Sequence, residues 1–128
     1  MRKSININIL TGKTITQIDG MSKDSEMLTI YTSDGKIYQM YMEEEYGADI
    51  HLEDVCGDIL DLIGYPILKA EKATNQENSE DGQIMKDLSF TWTFYKLSTI
   101  KGDVTLRWYG ASEGYYSEEV DFYEVITE

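Results

Sequence analysis

Residues Gly110-Ala111-Ser112-Glu113-Gly114 spell G-x-S-x-G, the pattern of a serine-hydrolase nucleophile elbow. In that elbow a sharp strand-to-helix turn exposes the serine beside an oxyanion hole. A strand pattern does precede Gly110. After Gly114, however, YYSEEVDFYEV alternates with period two and shows no helical stripe. The hydrolase fold that uses the elbow also places its histidine after the serine in chain order. Here the sole histidine, His51, lies far upstream. The match therefore reads as a loop between two strands, with Ser112 at its tip. Gly110 and Gly114 would supply turn conformations that a Cβ resists.

The remaining reactive side chains form no better constellation. His51 stands near Glu53 and Asp54 and could act as a lone acid or base. A single histidine without cysteines at ligand spacing is a poor zinc site, so a surface strand residue is expected. The carboxylates Glu43-Glu44-Glu45, and Glu53, Asp54, Asp58 and Asp61, could attract a hard cation. Their spacing does not follow the calcium-loop pattern, and no P-loop or dinucleotide fingerprint occurs. Nothing singles out one carboxylate pair for glycoside chemistry. No catalytic residue, metal or cofactor is assigned, and an enzyme is the least supported class.

The elements that would carry these residues are mostly strands. EMLTIYTSDGKIYQMYM (26–42) has two β-prone runs around Asp34-Gly35, a dipeptide that accepts the positive φ angles of a tight hairpin. Leu28 and Ile30 share one face of the first arm, and Tyr38, Met40 and Met42 share one face of the second. KTITQID (13–19), DIHLED (49–54) and ILKAEKAT (67–74) read as further strands. GDILDLIG (57–64) reads as a short helix capped by Asp58 and stopped by Gly64 and Pro66. Residues 75–87, polar and acidic without period, read as a mobile loop. In LSFTWTFYKL (88–97), Leu88, Phe90, Trp92 and Phe94 form the apolar face, and Ser89, Thr91, Thr93 and Tyr95 the hydroxyl face. Val104, Leu106 and Trp108 point inward from the next strand, and Val120 and Phe122 from the last. The fold class is mainly β with one short helix: about seven antiparallel strands in a curled sheet or small sandwich. The 128 residues fit one domain.

Composition narrows the function classes. No run of apolar residues suits a signal peptide or a membrane helix. A reducing cytosol is therefore expected, with the lone Cys56 a small buried hydrophobe. The net charge is −13, and it is uneven: residues 1–42 hold five basic and four acidic side chains, residues 43–128 six and twenty. Such a field disfavours direct contact with nucleic acid or anionic membrane and favours a basic partner surface. Glu43, Glu44 and Glu45 with Glu118, Glu119 and Asp121 would form acidic rows able to occupy a basic groove. Exposed Tyr115 and Tyr123, with Tyr95 and Tyr109 as further candidates, would add anchors.

The blocks GKTITQIDG (12–20), GDILDLIGYPILKAE (57–71) and TWTFYKLSTIKGDVTLRWYGASEGYYSEEVDF (91–122) cover most of the chain. In them the sequence resembles a small domain family of unknown function found in phage and prophage genomes. The resemblance implies a viral origin and no activity, so it assigns no site residue. Small acidic phage proteins without catalytic motifs often block a host protein. The leading expectation is thus an inhibitor of a basic, nucleic-acid-handling host defence protein, of the anti-CRISPR or another anti-defence type. A small-ligand or nucleotide-signal binder is the second. For it, the aromatics would line a pocket with Arg107, Lys96 and Lys101 nearby. A structural or oligomeric phage component, pairing through sheet edges, is the third.

Overall fold

A computed structural model describes residues 2–41, 49–78, 89–112 and 120–126. Among these, nine strands form two antiparallel sheets. The first sheet orders β1 (Arg2–Ser4), β9 (Asp121–Val125), β4 (Ile37–Tyr41), β3 (Leu28–Thr32) and β2 (Ile15–Asp19). The second orders β5 (Asp49–Cys56), β8 (Gly102–Ser112), β7 (Ser89–Thr99) and β6 (Lys69–Asn78). Their inner faces meet in one hydrophobic cluster. Leu28, Ile30, Tyr38, Met40 and Phe122 come from the first sheet, and Leu52, Leu97, Val104, Leu106 and Trp108 from the second. The alternating runs predict the mainly β, antiparallel class; of the curled sheet and the small sandwich left open, the structure takes two packed sheets, with nine described strands where about seven were expected.

Local chemistry explains the elements and some departures from expectation. The β3–β4 hairpin forms at Asp34-Gly35, but only Gly35 takes a positive φ, 87°. Asp34 instead accepts hydrogen bonds from Thr32 Oγ1 at 2.5 Å and from the Lys36 N–H at 3.3 Å. The expected helix after Gly57 shrinks to a single 3₁₀ turn, Ile59–Asp61. Asp58 caps it as predicted, accepting from the Leu60 N–H, but the turn already ends at Asp61 with Leu62 as its C-cap, before Gly64 at φ 90°. One turn suffices because Leu62 alone is fully buried there. A second 3₁₀ turn, Ile7–Leu10, is capped by Asn6 and buries Ile7 and Leu10. No described helix is long and apolar enough to cross a membrane.

Strand β6 runs ten residues to Asn78 and pairs throughout with β7. Residues 75–78, expected to open a loop, therefore lie in the sheet, and 79–87 lie outside the described residues. The inward and outward faces of β7 are opposite to the sequence reading. Thr91, Thr93, Tyr95, Leu97 and Thr99 are buried, whereas Trp92 and Phe94 are half-buried on the outer face. Register imposes this: Leu97 pairs with Val104, Tyr95 with Leu106 and Thr93 with Trp108, so β7 turns these side chains to the core face of β8. Cys56 is exposed at the end of the edge strand β5, not buried.

Candidate interaction surface

Two of the eight side chains expected to bind a partner lie among the described residues, both on β9. Glu43, Glu44, Glu45, Tyr115, Glu118 and Glu119 lie outside them. Asp121 and Tyr123 occupy the same face, as their spacing requires. Asp121 is already engaged: its Oδ1 pairs with Lys72 Nζ of β6 at 3.3 Å, and its Oδ2 accepts from Tyr123 Oη at 3.4 Å. Tyr123 is buried rather than exposed, its ring 4.6 Å from that of Tyr41. A central strand flanked by β1 and β4 explains the burial, and Arg2 lies over the Tyr41 ring at 5.1 Å. Tyr95, another expected anchor, is fully buried.

Tyr95 has an internal role. Its Oη donates to the Val120 carbonyl at 2.5 Å, while Thr93 Oγ1 accepts from the Val120 N–H at 3.3 Å. Two hydroxyls of the second sheet thus hold both backbone polar groups of Val120, the residue leading into β9 of the first. Beside this tie a cleft of about 160 Å³ opens between Ser4–Ile7, Lys72, Tyr95, Asp121 and Phe122. Its ionic groups, Lys72 and Asp121, face each other.

The outer face of the second sheet carries an aromatic ladder. His51, Tyr109 and Trp92 are register partners across β5, β8 and β7. The His51 and Tyr109 rings lie 5.2 Å apart and those of Tyr109 and Trp92 5.1 Å apart. Arg107 stacks over Trp92 at 4.8 Å. His51 Nε2 meets Glu53 Oε1 at 2.8 Å, and this hydrogen bond holds the Glu53 carboxyl below its usual range. These cross-strand contacts stiffen the outer face of the sheet.

The G-x-S-x-G match falls on β8. Gly110 pairs with Ile50 and Thr91 inside the sheet, and Ser112 pairs with Ser89 as the last residue of the strand. Gly110 therefore supplies no loop conformation, contrary to the sequence reading; Gly114 lies outside the described residues. Among the described residues, no three His, Cys, Asp or Glu side chains converge as a metal site.

One surface was missed from sequence. Among the described residues, Leu60, Leu68 and Ile100 are the most exposed large hydrophobic ones, and all three flank the β7–β8 turn. Leu60 precedes Asp61, whose carbonyl accepts from Thr99 Oγ1. The Leu68 N–H donates to the Ser98 carbonyl at 2.8 Å. The 3₁₀ turn directs the Leu60 side chain outward. The signal that could have found this surface is Ile100, a β-branched residue directly before Lys101-Gly102.

The model of a family described as Domain of unknown function (DUF7448) matches residues 8–122. No curated protein and no solved structure matches the chain.

Proposed function

We propose that this chain, which belongs to the DUF7448 family, is a binding protein whose acidic surface engages a basic, nucleic-acid-handling partner. The single observation that carries the reading is the charge distribution, with six basic against twenty acidic side chains from residue 43 onward. Asp54, Asp58, Glu71 and Asp103 are exposed members of that excess. A field of this sign repels nucleic acid and speeds encounter with a cationic groove. The resemblance to phage domains makes a host defence protein, such as a CRISPR effector or restriction factor, the favoured partner class, and inhibition by occupying its nucleic-acid groove the favoured mechanism.

The test is displacement of duplex DNA from purified host nucleic-acid-binding defence proteins by the intact chain. Displacement should occur at low salt and weaken steeply between about 50 and 200 mM, as counterion-dependent contacts do. No displacement at low salt, or displacement indifferent to salt, would overturn the reading.

The aromatic ladder supports a second reading. Trp92 and Tyr109, half-buried beside Arg107, offer ring faces to a planar small ligand. A nucleotide that binds only the folded chain would raise its melting temperature. A screen without any such shift rejects this alternative.

A further inference from the structure

We infer that the end of the second sheet around the β7–β8 turn is a docking surface for a basic protein segment carrying apolar anchors. This rests on the binding-protein reading and gives it a place on the molecule. Ile100 is 78% exposed, Leu60 68% and Leu68 61%. Single exposed aliphatics are ordinary, but three around one turn form a patch. Local folding does not require them. Ile100 and Lys101 form a two-residue hairpin connection between the paired Thr99 and Gly102; neither takes a positive φ, and the turn geometry makes no demand for an apolar side chain at Ile100. Leu60 contributes its backbone N–H to the Asp58 cap while its side chain faces solvent.

The patch is also held rigid. Thr99 Oγ1 donates to the Asp61 carbonyl and accepts from the Lys101 N–H at 3.1 Å. A Cβ on Gly102 would lie 2.9 Å from Asp61 Oδ2, so the 3₁₀ turn packs closely on the hairpin. A preorganised surface loses little entropy when it binds.

Charge selects the occupant. Asp58, Asp61 and Asp103 rim the patch and form no ion pair among the described residues. Of the adjacent lysines, Lys69 pairs with Glu71 at 3.6 Å, whereas Lys101, over the Tyr65 ring at 5.3 Å, keeps its charge and is outnumbered by the three carboxylates. An apolar centre with an acidic rim fits leucine-like anchors flanked by lysine or arginine. The same rim opposes an anionic membrane, and a second copy with net charge −13 would be repelled.

The probe is a short synthetic peptide alternating leucine with lysine, titrated calorimetrically into the full chain. Peptides with every lysine replaced by glutamine, or every leucine by serine, are the controls. The parent peptide should bind, and both controls should bind at least about tenfold more weakly. The L60S/I100S double variant should also lose about tenfold in affinity, the scale expected for about one buried aliphatic contact. D58N/D103N should lose affinity and flatten its salt dependence. All four positions are exposed, and an unchanged melting curve checks the fold. Binding by L60S/I100S within twofold of the parent chain overturns the inference. A dimer in sedimentation that this variant abolishes would make a second copy the occupant and also overturn it. Patch-dependent co-sedimentation with phosphatidylcholine–phosphatidylglycerol vesicles would do the same in favour of lipid. If DNA displacement fails while patch-dependent peptide binding holds, only the nucleic-acid-mimic reading falls.

Discussion

Tyr95 shows how a side chain that looked like a surface anchor is committed to the interior. Its hydroxyl and that of Thr93 satisfy the carbonyl and N–H of Val120. Removing one partner of a buried polar group costs its desolvation. Tyr95→Phe should therefore destabilise the chain by about 1–3 kcal/mol in urea unfolding. Thr93→Val should destabilise it as well, and the two effects should not add, because both side chains hold the backbone of Val120. Asp34 gives the residue-scale pH dependence. The hydrogen bond from Lys13, supported by Thr32, depresses its pKa to about 2 from an ordinary 3.8. A depressed folded-state pKa contributes stability that is complete above the unfolded value and is lost as pH falls through the folded one. The contribution should fade between about pH 4 and pH 2. Asp34→Asn should remove that component of the acid-unfolding curve, and an unaltered curve would refute the assignment. At neutral pH its cost should be modest, of order 0.5 kcal/mol, since the pair is partly exposed.

At the scale of elements, glycine is needed at turns for two different physical reasons. Gly20 sits at φ 86°, and a Cβ there would lie 2.3 Å from the Met27 carbonyl oxygen. Gly35 has a similar φ of 87°, but a Cβ would meet nothing within 4 Å. The pair separates backbone strain from steric exclusion. Gly35→Ala should cost about 1 kcal/mol from the left-handed conformation alone, and Gly20→Ala about 2–3 kcal/mol or more. Equal losses in chemical denaturation would show that the close approach at Gly20 relaxes freely. The assignment of faces was less legible. Strand β7 alternates aromatic and hydroxyl residues, and hydrophobicity alone turns Trp92 and Phe94 inward. Pairing with β8 does the reverse, because Val104, Leu106 and Trp108 must share the core face with their β7 partners.

For the molecule as a whole, both proposals are statements about a field and a patch. The acid excess after residue 42 is spread through the sequence and acts at long range. The aliphatics at the β7–β8 turn act at contact. The first predicts salt-dependent displacement of DNA; the second predicts which contact residues then matter. The two sheets share one core, with β9 tied to β7 through Val120 and to β6 through the Lys72–Asp121 pair. That same tie withdraws Asp121 from the acidic row in which sequence placed it. Part of the expected binding row is structural.

The sequence by itself determined the mainly β class, the Asp34-Gly35 hairpin, the Asp58 cap, the inward residues of β8 and the charge asymmetry. Each follows from local periodicity, a capping residue or composition, all of which act over a few neighbours or none. Only the tertiary structure decided which face of β7 is buried, where Tyr123 lies, that Gly110 belongs to a strand, and that Leu60, Leu68 and Ile100 gather at one end. These depend on register between strands far apart in the chain. A period of two marks two faces but does not say which one meets the core until a partner strand fixes it.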